Sequence, residues 1–469
     1  VSQNFPISKL TLALITLSAA SLTQAAGLDR SGQDIKGFFN PGTYAEIDYA
    51  YIDTDVSAHD NAGAITTPNG DINNGITSTE EAYRKGKSTG DATPDTYSFM
   101  RYGVKTDINE NFSIGVFYDE PFGAEVEYSG DSTFVSQAGK DTIADSSTGT
   151  SVPNEVINSS VLDPDYDKNT NVSVHTESWT GLIGYKSNGF QVYGGPVMQK
   201  VKADVHLRGQ AYGPLTGYDA NVNSDTDYGW VAGLAYSKPE IALNAALTYR
   251  SEIDHKTPVG ERIPLLGSPL RDTALGKLDI DPDSALGQSI SEYATTDATV
   301  TTPESVNLNI QTGLSEKYQL LGTLDVRWVP WSDFTIVPPF YNAYSKANRP
   351  EGVPVESYDG LPLLSYEKDQ WKVDVGLAKR FNEKLAGTVT VGYDSGAGDP
   401  VSSLGTIEGF YSIGGGVKYN VTPEWAVSVG GKYLKFGDAT GQLPNGSIVS
   451  KAEDNDGYIA GVKLSYQSQ

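Results

Sequence analysis

From residue 43 onward the chain alternates apolar and polar residues with a period of two, again and again. In an extended segment that period places one row of side chains on each face of a sheet. In 240–253 one row is Ile241, Leu243, Ala245, Leu247 and Tyr249, and the other is Ala242, Asn244, Ala246, Thr248 and Arg250. In 456–467 the apolar row is Tyr458, Ala460, Val462, Leu464 and Tyr466, with Lys463 opposite. In 407–420, Tyr411, Ile413, Gly415, Val417 and Tyr419 face away from Ser412, Gly414, Gly416 and Lys418. Several rows begin or end in Tyr or Trp.

The pattern predicts fourteen strands, at 43–55, 95–106, 111–128, 174–186, 189–207, 225–237, 240–253, 304–314, 317–329, 366–380, 384–394, 407–420, 424–436 and 456–467. The connections after even-numbered strands are short: 107–110, 187–188, 238–239, 315–316, 381–383 and 421–423. Those after odd-numbered strands are long: 56–94, 129–173, 208–224, 254–303, 330–365, 395–406 and 437–455. Tight turns at one end and long loops at the other are the layout of an outer-membrane barrel. Lipid offers no hydrogen-bond partner, so the backbone must pair strand to strand in a closed ring. Tyr and Trp at strand ends suit the two interfaces, where a ring and a polar tip are both satisfied. The fold class expected is therefore all-β: a 14-stranded antiparallel transmembrane β-barrel. A soluble all-β array would also alternate, but no fixed-length repeat marks a solenoid, and the short–long order is not that of a Greek-key sandwich.

Composition narrows the function. Lys and Arg number 34 against 59 Asp and Glu, a net charge of −25, so no positive field exists to attract nucleic acid. With no Cys there is no disulfide and no thiolate metal site. A mean hydropathy of −0.34 leaves no room for several transmembrane helices. Leu10–Leu22 is a 13-residue mostly apolar run followed by Thr23-Gln24-Ala25, which predicts a signal peptide over 1–25 with cleavage after Ala25. The expected organisation is then a short N-terminal hatch at 26–42 and a barrel over 43–469.

Four stretches resemble the long-chain fatty-acid transporter (FadL-like) family, which includes aromatic-hydrocarbon uptake channels. They are AGLDRSGQDIKGFF (26–39), YDEPFGAEVEY (118–128), DYGWVAGLAYSKPEIALNAALTYRSEIDH (227–255) and TTPESVNLNIQTGLSEKYQLLGTLDVRWVPWSDF (301–334). The resemblance implies a fourteen-strand barrel plugged by a hatch, capture of hydrophobic molecules by extracellular loops, and sideways release at a kink in the third strand. Two departures stand out. Residues 26–42 are shorter than the family's usual hatch, and Asn40-Pro41-Gly42 stands where the family has Asn-Pro-Ala or is simply a turn. The last aromatic residue, Tyr466, lies three residues from Gln469.

Candidate residues follow. Pro121 cannot donate to a ladder, so Pro121, Phe122 and Gly123 mark a break in the third strand or its end; a break is the candidate lateral opening. Alternation puts Arg101, Lys105, Arg250 and Arg327 in the lumen, where a ligand carboxylate needs a cationic partner; Glu46, Asp48 and Asp325 are there to pair with them instead. Phe38 and Phe39 line a pocket from the plug or pack the plug on the wall. IPLLGSPL (263–270) places Leu265, Leu266 and Leu270 in a loop also carrying Leu275, Leu278, Ile280, Leu286 and Ile290, a capture surface or a self-packed cap. Asp163, Asp165 and Asp167, and Asp279, Asp281 and Asp283, lack the Gly and Glu of an EF-hand and read as solvated charge. Gly130-Asp131-Ser132 lacks the G-x-S-x-G turn, and His59, His175, His206 and His255 lack metal-ligand spacing.

The expectation is a monomeric, cofactor-free and metal-free channel, not an enzyme, that passes hydrophobic small molecules across the outer membrane and contacts lipopolysaccharide and lipid. Long-chain fatty acids come first, aromatic or alkane hydrocarbons second. A general porin for polar solutes and an outer-membrane hydrolase are the rivals.

Overall fold

The computed structural model describes residues 28–61, 88–91, 96–136, 142–145, 150–153, 168–267, 271, 272, 275, 281–347 and 358–468. The segment expected to be a signal peptide lies outside the described residues. The barrel has fourteen antiparallel strands. They are β1 (Tyr44–Asp55), β2 (Thr96–Asp107), β3 in two arms (Phe112–Asp119 and Gly123–Glu127), β4 (Asn171–Ser187), β5 (Phe190–His206), β6 (Asp219–Lys238) and β7 in two arms (Leu243–Arg250 and Ile253–Arg262). β8 follows, also in two arms (Tyr293–Thr302 and Ser305–Ser315), then β9 (Leu320–Val329), β10 (Gln370–Arg380), β11 (Leu385–Asp394), β12 (Phe410–Asn420), β13 (Trp425–Phe436) and β14 (Asp456–Gln467). The ring closes because Tyr44 of β1 is in register with Lys105 of β2 on one side and Gln467 of β14 on the other.

The apolar rows read from the sequence face outward. Ile183, Val192, Leu234, Val389, Val391 and Ile413 are all exposed, the reverse of a soluble protein's core. Aromatic pairs girdle this belt at two heights. Near the short turns lie Phe112–Tyr185, Phe190–Tyr236 and Trp425–Tyr466. Toward the long loops lie Trp230–Tyr249, Trp328–Trp371, Tyr393–Tyr411 and Tyr433–Tyr458. Tyr466 thus sits in the lower girdle despite the polar residues after it.

The short turns are built from local chemistry. Asn188 and Gly189 both have positive φ, at 50° and 83°, the left-handed pair that a two-residue hairpin requires. A Cβ at Gly189 would lie 2.6 Å from the Ser237 carbonyl oxygen. The β6–β7 turn is longer than 238–239: Pro239–Ile241 forms a 3-10 turn and Ala242 takes φ 50°.

Other boundaries also shift. β6 begins at Asp219 rather than 225, β10 at Gln370 rather than 366, and the connection 254–303 contains the upper arms of β7 and β8. Those arms rise above the membrane, so their outward residues, Asp254, Lys256, Thr295 and Asp297, meet water and are exposed. Without an apolar outward row they lack the barrel signature and read as loop. β5 and β6 have 17 and 20 residues, whereas a tilted strand needs ~9–11 to cross the bilayer. The wall on this side therefore stands as a tower outside the membrane.

A cap covers the tower. Helix α1 (Pro339–Ala347) is held at its N-terminus by buried Glu261, which accepts from the Phe340 and Tyr341 amides at 2.9 and 2.8 Å and from the Tyr218 hydroxyl at 2.9 Å. A five-stranded sheet joins Ser57–Asp60 and Ser88–Asp91 to Val401–Ser402, Ala439–Gln442 and Ile448–Ala452. It ties three long connections together.

Candidate functional site

Residues 28–42 thread the lumen as a hatch, anchored mostly by polar contacts. The Asp29 carboxylate is fully buried and accepts two bonds from Arg327, Nε at 2.9 Å and Nη2 at 2.8 Å. Arg327 Nη1 also reaches Gln33 and Asn307, and Asn307 donates to the Gly32 carbonyl at 2.9 Å. Ser31 donates to Asp119 at 2.7 Å, and Lys36 pairs with Asp325 at 3.2 Å. Arg101 lies 3.2 Å from Asp48 and 3.8 Å from Asp34. Lys105 donates to the Asn40 and Gly42 carbonyls at 2.5 and 2.9 Å. A two-toothed buried pair of this kind is geometrically specific, and removing one partner strands the other's charge.

Phe38 is fully buried and sits 6.4 Å from the Phe117 ring and 5.8 Å from Tyr193. Gly115 and Gly184 make the hollow, since a Cβ on either would come within 3.0 Å of the Phe38 ring. Phe39 stands 5.2 Å from Tyr193. Of the residues put forward from sequence, Arg101, Lys105, Arg327 and Phe38 are thus brought together, but on the hatch. Arg250 is buried at hatch height, donates to Thr180 at 2.9 Å, and leaves Nε without an acceptor.

Above the hatch lies an apolar chamber of about 60 Å³. Leu28 forms its floor; Phe122, Ala124, Val172 and Val174 one wall; Val201, Val205, Ala220, Val222, Val259 and Val300 the tower side; Trp331, Phe334 and Ile336 the roof. At roughly 10–15 Å³ per water-sized group, it has room for about five such groups in a row, a slender chain or a small ring. Trp331 is oriented by its indole N–H, which donates to Gln370 at 2.8 Å, and by Phe122, Phe334 and Tyr366 around it. Below the hatch lies a polar vestibule of about 1100 Å³, lined among others by Asp34, Lys36, Phe39, Glu46, Lys186 and Lys463. The hatch therefore divides an apolar compartment from a wet one.

Pro121 and its neighbours stand at the chamber's edge. β2 pairs with the lower arm of β3 only up to Tyr102–Tyr118, and the upper arm pairs with β4 from Gly123–His175 onward. Among the described residues no ladder joins the upper arm to β2. The break faces the hatch instead: the Pro121 carbonyl accepts the Arg30 amide at 2.8 Å, and the Gly123 amide donates to the Leu28 carbonyl at 2.8 Å. Phe122 is buried against Trp331.

Leu265 and Leu266 are buried in a 3-10 turn within the cap's core together with Leu275, and they do not border the chamber. Leu270 lies outside the described residues, as do Asp163, Asp165, Asp167 and Asp279. Ser132 donates to Asp60 at 3.2 Å and accepts the Phe134 amide at 3.1 Å, a turn-holding role. Among the described residues no His, Asp and Glu group has the proximity to hold a metal. His255 is buried beside Gln199 at 3.2 Å, and His206 and Arg208 share Asp219 at 2.6 Å each.

One cap residue carries a pH consequence. Burial, with Asp399 and Asp394 nearby, raises the Glu408 carboxyl to about 7, although the Gly398 and Ala397 amides donate to it. A carboxyl raised on folding stabilises the fold below its unfolded value and loses that contribution as pH climbs through the raised one. The cap is therefore expected to be most protease-resistant near pH 5 and to loosen by pH 8. Glu408→Gln should flatten that dependence in limited proteolysis of intact cells.

Arg30 and most of the chamber's tower side were missed from sequence. Arg30 carried only one signal, being with Lys36 one of two cations in 26–42.

No protein-family model matches the chain, and no curated protein matches it by sequence. Comparison of the fold does find relatives. A FadL homologue of Pseudomonas aeruginosa superposes with a TM-score of 0.61 at 15% identity, covering 95% of this chain and 98% of that one. The Ralstonia pickettii toluene transporter TbuX gives 0.51 at 12%, covering 96% and 97%. The Pseudomonas putida toluene transporter TodX gives 0.52 at 11%, covering 96% of each. These likenesses span the whole barrel, and with the outward apolar belt and its two girdles they establish a fourteen-strand outer-membrane β-barrel of the FadL-like fold.

Proposed function

We propose that this protein admits hydrophobic small molecules through the outer membrane by passive diffusion, long-chain fatty acids first and aromatic or alkane hydrocarbons second. The observation that carries the reading is the apolar chamber sealed from the polar vestibule by the hatch. A porin for polar solutes needs a continuous wet path, and here the lumen is crossed by buried ion pairs and Phe38. The route out is sideways, past the break in β3 at Glu120–Phe122 that borders the chamber, so that a ligand leaving by it enters lipid and never crosses the polar vestibule. The chamber's largely aliphatic and aromatic lining suits an alkyl chain. The protein acts as a monomer, with lipopolysaccharide around its tower.

The test is single-channel conductance in planar bilayers together with oleate binding read from tryptophan fluorescence. The expected result is low conductance, saturable oleate binding and a change in emission that Trp331→Phe removes. A large steady conductance insensitive to oleate would overturn the reading in favour of a porin.

A further inference from the structure

Among the described residues β2 and the upper arm of β3 are unpaired past the break, and the Arg30 side chain lies between them. Arg30, from the hatch, is buried although the strands on either side are not paired there. Its guanidinium lies 4.8 Å over the Tyr97 ring of β2 and 3.8 Å from the Glu120 carboxylate. Glu120 in turn accepts the Met100 amide of β2. On the other rim, Gly123 makes the passage: a Cβ there would lie 2.7 Å from Arg30 Cζ. Gly123 is followed by Ala124, which lines the chamber, so by alternation the guanidinium lies on the face of that arm turned away from the chamber. Among the described residues Arg30 Nε has no hydrogen-bond acceptor and the Glu120 carboxylate, at 3.8 Å, is beyond hydrogen-bond range, so the contact is loose beside the two-toothed Asp29–Arg327 pair.

We propose that Arg30 is the bolt of this gap: its side chain bridges Tyr97 and Glu120 on one rim and Gly123 on the other, and its withdrawal joins the chamber to the outer leaflet. This rests on the reading that ligands leave through the wall. A single flexible side chain closes the gap at lower cost than a ladder, because it swings clear by rotamer changes while the hatch stays anchored through Asp29. The tight anchor and the loose bolt are adjacent residues, so the gap opens without unplugging the lumen.

The experiment uses the full chain in liposomes, with folding checked by heat-modifiable electrophoretic mobility. The chain has no Cys, so Ala124→Cys labelled with bimane reports on the chamber wall alone. In Arg30→Gln, quenching of that label by brominated acyl chains should rise well above wild type. Release of a neutral probe, N-phenylnaphthylamine, and of an anionic one, cis-parinarate, should both quicken about tenfold, or ~1.4 kcal/mol off the barrier. Arg30→Ala, which shortens the side chain clear of the gap, should do the same. Unchanged quenching and unchanged release in both variants would overturn the proposal. So would an effect confined to parinarate, which would make Arg30 a head-group contact. Should wild type bind neither probe, the transport reading fails while the lipid-quenching readout still decides the bolt.

Discussion

Arg327→Met is expected to convert a nearly silent barrel into one with frequent open events in planar bilayers. The substitution keeps a comparable length of apolar stem but deletes both bonds to Asp29, leaving a fully buried carboxylate with its principal partner gone. Breaking a buried pair from one side typically costs ~3–5 kcal/mol. Gln33 and Asn307 lose a donor in the same step. Because Asp29 belongs to the hatch and Arg327 to β9, the strain falls on docking of the hatch rather than on the barrel ladder. Heat-modifiability should therefore persist while conductance rises. Asp29→Asn in the Arg327→Met background should restore part of the closed state, since a neutral amide is less costly to bury. Unchanged conductance in the single variant would mean that Lys36, Lys105 and Phe38 hold the plug without this pair.

The second large effect concerns the chamber. Ala220→Phe points a ring from β6 into a cavity of about 60 Å³, whose boundaries on the same side include Val201, Val205, Val222 and Val259. Overpacking a site of this kind costs ~1–3 kcal/mol, and a ligand competing for the same space bears that cost on binding. Oleate affinity should fall at least about tenfold, while the outward belt and the girdles are untouched and insertion into membranes is normal. Ala235→Phe serves as the comparison, because Ala235 lines the vestibule and not the chamber, and packs with Ile35 and Phe38 on the hatch's lower side. Equal loss in both variants would move the binding site out of the chamber.

The outward half of the molecule was legible because lipid imposes one rule on every strand. Leu247, Val417 and Leu464 lie outward where their alternation put them, and the fourteen strands followed. The inward half obeys no such rule. Arg101, Lys105, Arg250 and Arg327 were correctly turned inward, yet alternation is silent on whether an inward cation meets a ligand or a plug. Arg327 finds its partner 298 residues away, in a segment without periodicity. The upper arms of β7 and β8 were invisible for the opposite reason. Water on their outer face removed the apolar row, so Val259 and Val300, which close the chamber, were read as loop. Proline's missing amide marked Pro121 as a break or an end of the third strand, whereas Arg30 gained its meaning only once β2 and β3 were seen to part.

The hatch anchors also fix an order of assembly. Asp29, Ser31, Gln33 and Lys36 are near the start of the chain, but their partners come from β3, β8 and β9, and Lys105 of β2 must already be beside Asn40. No subset of early strands offers that socket. The ring closes by pairing β1 with β14, and the lumen exists as a lumen only then. Docking of the plug thus depends on a finished wall, whose local hairpins form with short loop closures while these hatch contacts span from 65 to 298 residues. On that order a newly inserted barrel would pass through a stage in which the wall is complete and the plug unseated, which conductance recorded during insertion would register as a transient leak.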